Sequence, residues 1–225
     1  MKNTLLLRCQ APLQAWGVQS LFSVRDSCRE PTKSGIIGLL CAALGRGRNE
    51  PPDDLAALRM GIRVDREGAL SKDFQTARGV LKSDGTGLGN IISDRFYLSD
   101  AIFLVGLEGE DLNLLEQCQQ ALRHPQWLLF LGRRAFPPSK PVWLHDGLRN
   151  GIGLEEALMN YPALLDEKAF QRTEQMRFVF ENSDGSILQN DRPVSFAGRI
   201  FLQRAQSVYY FPRPAAILQE ASDVS

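Results

Sequence analysis

Two short stretches of this 225-residue chain carry side chains suited to holding an anion. The first is Arg25-Asp-Ser-Cys-Arg29-Glu-Pro31-Thr32-Lys33-Ser34-Gly35, which leads into an apolar segment ending at Gly45. Pro31 and Thr32 before that segment, with Gly45 and Gly47 after it, are helix start and stop signals. A helix N-terminus leaves backbone N–H groups unpaired and carries a partial positive charge, which suits phosphate. Thr32 and Ser34 can cap the helix or donate to phosphate oxygens, and Gly35 lets backbone come close. Arg25, Arg29 and Lys33 add charge at the same end, and arginine can grip phosphate in bidentate fashion. The second stretch, Phe130-Leu131-Gly132-Arg133-Arg134-Ala-Phe136-Pro137-Pro138, puts two arginines beside a glycine and ahead of a proline-fixed turn. Each stretch also has a plainer reading. One is a capped helix beside a solvated basic loop, and the other a surface turn whose arginines pair with carboxylates. The aromatics Trp16, Phe22, Phe96 and Tyr97 can stack on unpaired bases or fill core.

The elements that must position these residues follow from periodicity. Residues 4–9 form a short apolar run, a buried strand, and 34–45 an apolar helix that should be largely buried. Met60, Ile62 and Val64 alternate with polar residues as a half-buried strand does. Residues 71–99 hold an Asp84-Gly85 turn signature among further glycines, and predict a long hairpin projecting from the body. A strand at 101–107, an amphipathic helix at 110–124 and a strand at 127–131 complete the series. The order β-α-β, hairpin, β-α-β is that of an α+β, ferredoxin-like or RRM-like palm carrying an insertion. In such a sheet the first and last strands can lie close, so the Gly-Arg-Arg turn could face the first helix's entry. Beyond Pro137 the pattern is less regular, with strands marked by Met176, Phe178 and Phe180 and by 199–211. The reading is one domain over 1–225, with 146–225 its less regular, β-containing C-terminal part.

Charge is neutral overall, with 26 Lys plus Arg against 26 Asp plus Glu, so distribution matters more than the total. Residues 117–145 and 192–219 contain arginines and no acid, while acids gather between Asp146 and Asp191. Cys9, Cys28, Cys41 and Cys118 show neither disulfide nor zinc spacing. No leader and no apolar run long enough to span a bilayer is visible, which predicts a cytoplasmic protein without a membrane partner. The glycines of Gly85-Thr86-Gly87-Leu88-Gly89 are misplaced for a dinucleotide fingerprint, and Lys33-Ser34 precedes its glycine, unlike a P-loop. The two histidines, His124 and His145, lie outside both basic motifs, and His124 suits the negative end of a helix. No cofactor or metal is expected.

These residues together resemble the CasD family of CRISPR-associated Cascade proteins, within the RAMP superfamily. The likeness rests on Ala11-Pro-Leu-Gln14-Ala-Trp16-Gly17, Pro31-Thr-Lys-Ser-Gly35-Ile-Ile-Gly38, Asp73-Phe74-Gln75-Thr76, Arg95-Phe-Tyr97-Leu-Ser-Asp100-Ala-Ile-Phe103 and Leu131-Gly-Arg-Arg134, in the family's order over roughly residues 1–145. The length suits subtype I-E members. The resemblance implies a non-catalytic subunit whose palm grips the 5′ handle of the guide RNA (crRNA). Its thumb would pack against a neighbouring CasC backbone subunit, within a complex that includes the large subunit CasA and meets target DNA indirectly. Arg25, Arg29, Thr32, Lys33, Ser34, Gly35, Gly132, Arg133 and Arg134 then inherit handle binding, with Gln14 and Trp16 beside them. Arg78, Lys82 and Arg95 fall in the thumb. Lys33 stands where the family leads one to expect arginine. Two alternatives stay open. Relatives in subtype I-C are metal-independent endoribonucleases that process precursor RNA with a Tyr, Lys and His set; a protein-only structural subunit would use the arginines as interface residues.

Overall fold

The computed structural model describes residues 1–18, 24–82 and 84–218. The first strand, β1 (Asn3–Gln10), is apolar on both faces because it lies inside a sheet covered on both sides. Two-residue strands β2 (Leu13–Gln14) and β3 (Val24–Arg25) follow, then α1 (Lys33–Leu44). The Thr32 hydroxyl accepts from the Gly35 N–H to start α1, and Gly45 ends it at φ +76°. A short α2 (Asp53–Ala56) leads to β4 (Arg59–Arg66). The hairpin strands β5 (Ala69–Leu81) and β6 (Leu88–Ser99) come next, then β7 (Ile102–Gly109) and α3 (Leu112–Arg123). The remainder comprises β8 (Trp143–Arg149), α4 (Leu154–Asn160), α5 (Glu167–Arg172), β9 (Gln175–Glu181), β10 (Ile187–Ser195) and β11 (Ile200–Pro212).

Seven strands form the main sheet in the order β10-β11-β9-β4-β7-β1-β8, antiparallel throughout. A second sheet is built on β6, with β2 and β3 on one side and β5 on the other. On one face of the main sheet, Leu5, Leu7 and Val105 pack under Ile36, Ile37 and Leu40 of α1 and Leu115, Cys118 and Leu122 of α3. On the other, Leu6, Leu104 and Phe178 pack under Leu154, Leu158 and Tyr161. The molecule is thus sheet-rich with a few short helices, a fold with a core on each side of one sheet.

Two expectations need correction. Residues 127–131 form no strand. Leu128 is 87% exposed, and the N–H groups of Gln126 and Trp127 donate to Ala43 and Ala42 at the end of α1, whose last carbonyls need donors. The sheet edge beside β1 is taken instead by β8, whose exposed His145 and Asp146 interrupt any alternation in the sequence. The C-terminal part, read as less regular, supplies α4, which covers one sheet face, and three strands that extend the sheet from β4.

Candidate nucleic-acid interface

The two basic motifs lie on opposite sides of one buried segment. Gln14 is fully buried; its amide donates to the carbonyls of Cys9 (3.3 Å) and Ala101 (2.7 Å) and accepts from the Trp16 indole (3.2 Å). Trp16 is buried too, and its ring presses on the start of α1: a Cβ at Gly35 would come within 2.9 Å of it. The Trp16 carbonyl accepts from Cys28 N–H at 2.8 Å, tying down the loop that carries Arg25 and Arg29. On the other side, Ala15 N–H donates to Leu131 at 3.1 Å. Gly132, at φ +91°, crosses so closely that an added Cβ would sit 1.6 Å from the Ala15 carbonyl oxygen. Gln14 and Trp16 therefore form the spine of the site, and Gly35 admits the Trp16 ring.

At the turn, Arg133 donates to the carbonyls of Phe96 (2.7 Å) and Arg25 (3.2 Å), and its guanidinium lies 5.6 Å from the Phe136 ring centroid. Parallel pairing of β3 with β6 sets Arg25 beside Arg95, which in turn lies opposite Asp73 on β5. Partial burial, then repulsion from Arg95 and Arg25, pushes the Arg133 pKa down, with Asp26 and Asp73 opposing. A guanidinium disfavoured by its neighbours' charge is relieved by an incoming anion. Arg95, Arg133, Tyr97 and Phe136 line a cleft of about 150 Å³ together with Asp73 and Gln75.

Strand alternation sorts the hairpin into two faces. Asp73, Gln75, Arg95 and Tyr97 share the register of the cleft side, whereas Leu70, Phe74 and Ile92 stand on the other and are exposed. Arg78 and Lys82 are exposed farther along the hairpin, so Arg95 is the thumb residue that joins the palm's arginines. Asp73 and Gln75 received no role from the sequence, although their two-residue spacing on a strand places them on one face. Phe22 lies outside the described residues.

The mouth of α1 differs from the open cradle expected. Lys33 is 1% exposed and its ammonium sits 2.9 Å from both Glu181 oxygens. Burial lowers its pKa and the Glu181 charge opposes that shift. The Lys33 N–H donates to Asp191 (2.8 Å), which is itself held by Arg204 at 2.8 and 2.7 Å. Thr32 is buried, and its hydroxyl occupies the Gly35 N–H at 3.2 Å. The helix start is thus satisfied by the chain's own groups, and Lys33 belongs to the interior. Ser34 is half-buried, while Arg25, Arg29 and Arg134 are exposed around the spine. Arg204, within the acid-free stretch 192–219, is buried against Asp191.

His124 caps the end of α3 and is exposed, as is His145; neither lines the cleft. Among the described residues no group of three or more His, Cys, Asp or Glu could hold a metal ion. No described helix is long and apolar enough to cross a membrane.

A family model described as CRISPR-associated protein (Cas_Cas5) matches residues 4–209. The chain belongs to this Cas5 family. The CRISPR system Cascade subunit CasD of Escherichia coli (strain K12) is 32% identical to this Cas5 chain over 178 residues, covering 72% of it and 78% of that protein. A crystal structure of a Cas protein, 44% identical, superposes at a TM-score of 0.77 over 94% of this chain and 97% of its own. A chain from a CRISPR RNA-guided surveillance complex, 29% identical, also reaches 0.77, over 98% and 95%.

Proposed function

We propose that this Cas5 chain is a non-catalytic crRNA-binding subunit of a type I-E Cascade complex, cytoplasmic, holding the 5′ handle of the guide RNA. The observation that carries this reading is the meeting of Arg95 and Arg133 at one cleft with Arg25 paired beside Arg95, and with Arg29 and Arg134 exposed nearby. Three guanidiniums held near one another by backbone pairing suit a polyanion, and the likeness to a Cascade subunit supports RNA as that polyanion. The strand order β4-β7-β1-β8, with α1 and α3 on one face, supports the RRM-like palm, and β5–β6 the thumb. The exposed Leu70, Phe74 and Ile92 on the far face of the thumb suit a protein neighbour such as the CasC backbone subunit, with CasA and target DNA reached through the complex.

Replacing Arg25 and Arg133 by alanine should cut affinity for handle RNA at least tenfold and leave the fold intact, because each good charge-assisted contact is worth about 1.5–3 kcal/mol. Affinity should fall steeply with salt, and each phosphate-binding arginine removed should lower that slope by about 1. Unchanged guide loading, or a flat salt response, overturns the assignment. The endoribonuclease alternative requires a base near the scissile 2′-OH, and the cleft lining supplies Tyr97 with neither lysine nor histidine. Precursor RNA should therefore stay intact with the purified protein in chelator.

A further inference from the structure

The β5–β6 hairpin leaves the main sheet through a short joint. Arg66 still faces Ile102 in the main sheet and Ala69 already faces Ser99 in the second, and the ladder skips Glu67-Gly68 and Asp100-Ala101 between them. Each arm of the joint holds one left-handed residue, Gly68 at φ +72° and Asp100 at φ +57°, and these turn both strands out of the main sheet. Rotation about two such pivots side by side swings the whole hairpin. The Asp100 arm is anchored to the segment after β1: Asp100 N–H donates to the Pro12 carbonyl at 3.0 Å, and Gln14 holds the Ala101 carbonyl at 2.7 Å. The Glu67 arm is anchored by a side chain from a distant strand. Arg177 on β9 donates to both Glu67 oxygens, at 2.7 and 2.8 Å, and its remaining nitrogen donates to Glu30 at 3.0 Å.

We infer that Arg177 is a positioning residue, a two-jawed clamp that fixes the hairpin root and the Arg25–Arg29 loop in one arrangement. Glu30 follows Arg29 directly, so the second jaw closes on the loop that carries exposed arginines. The Arg177 and Glu30 side chains are 12% and 16% exposed, so water and salt screen this jaw little. Glu67 is half exposed, and its jaw closes through bidentate geometry rather than burial. A planar guanidinium gives two donors to one carboxylate and a third to another, a fork that a lysine ammonium does not reproduce. Leu70, Phe74 and Ile92 on the hairpin and Arg25 and Arg29 on the loop, all exposed, are thereby presented at a set separation. Partners on the two surfaces would bias one shared element. The clamp stands apart from the RNA-binding reading, which concerns only what one of those surfaces holds.

The test measures the hairpin's angle in the full chain without ligand. Spin labels are placed at Arg78→Cys on the hairpin and Leu128→Cys on the palm, both exposed, in a Cys28→Ser background. The distance distribution in this parent should be narrow. It should become about twofold wider in Arg177→Gln and in Glu67→Gln, as other hairpin angles are populated, and stay narrow in Glu30→Gln. The second jaw is followed at the Cys28 amide, bonded to the Trp16 carbonyl at 2.8 Å, in protein that keeps Cys28. Its hydrogen exchange should quicken about tenfold in Glu30→Gln and Arg177→Gln, the loss of one charge-assisted hydrogen bond, and not in Glu67→Gln. Distributions as narrow as the parent's in both Arg177→Gln and Glu67→Gln, with only the urea midpoint lowered, reduce Arg177 to a stabilising ion pair and overturn the inference. Unchanged Cys28 exchange in Glu30→Gln overturns it as well. Should Arg177→Gln fail to fold, the two single-carboxylate variants decide alone.

Discussion

Gly132 combines a left-handed backbone with a contact no side chain survives, since its Cβ would overlap the Ala15 carbonyl. Gly132→Ala must push the arginine turn off the spine, and should cost on the order of 3 kcal/mol in urea unfolding together with handle binding. Lys33 makes the opposite case: a cation in a basic motif that serves the interior. Lys33→Ala leaves the largely buried Glu181 without its partner and should destabilise the protein by about 3 kcal/mol. RNA affinity of the folded protein, measured at low temperature, should be unchanged; a tenfold loss there would return Lys33 to the RNA surface. The buried thiols of Cys9 and Cys118, and the half-buried one of Cys28, are each pushed up to about 12, chiefly by burial, which keeps them protonated and inert.

At the scale of elements, the β5–β6 hairpin is one ladder with two chemistries. Near its root the cleft face is polar and aromatic, while Leu70, Phe74 and Ile92 on the other face are left in water. Replacing exposed Phe74 and Ile92 by serine should change stability by no more than about 0.5 kcal/mol each, as surface substitutions do. Co-purification with a CasC-type backbone subunit should nonetheless fall sharply while handle RNA binding persists. The segment at 125–131 is an element of another kind: it has strand-like composition but serves to cap α1 through Gln126 and Trp127. Its place in the sheet went to β8 because the chain after the arginine turn returns beside β1, where Arg8 N–H donates to Val142 at 2.8 Å.

For the whole molecule, the C-terminal strands decide both architecture and site. They extend the sheet from β4, and their Glu181 and Asp191 seal the start of α1, while Arg177 joins Glu30 and Glu67 at 3.0 and 2.7 Å. Truncation after Arg172 should therefore abolish cooperative unfolding, seen as loss of a sigmoidal urea transition. On the RNA-binding reading proposed above, cover over both sheet faces also limits where RNA can lie. An RRM-type sheet face would stack bases, but here α4 and its neighbours bury that face, which leaves the rim formed by the thumb root and the arginine turn. Ion pairs at the periphery contribute to the acid limit. Arg59 holds Glu155 below its usual 4.5, and Arg46 holds Asp54 below 3.8. Their folded values lie below the unfolded ones, so their stabilisation is complete above about pH 4.5 and is lost as pH falls through the lowered values. Urea midpoints should thus hold from neutrality to about pH 5 and decline below pH 4; a flat profile to pH 3 would exclude these pairs.

What local chemistry dictates was already legible in the amino-acid order. The run 60–65 and the Asp84-Gly85 turn specify β4 and the hairpin, although β4 is buried on both faces and not half-buried as its alternation suggests, and Thr32 and Gly45 specify where α1 begins and ends, because each is settled within a few residues. The Gly132-Arg133-Arg134 turn stood out for the same reason. Which cations reach solvent was settled only by tertiary packing. Lys33 met Glu181 across 148 residues and Arg204 met Asp191 on a paired strand, while Arg25, Arg95 and Arg133 came together through β3–β6 pairing and one turn. Sequence spacing cannot encode such meetings, since a charge's pairing depends on which distant strand folds beside it.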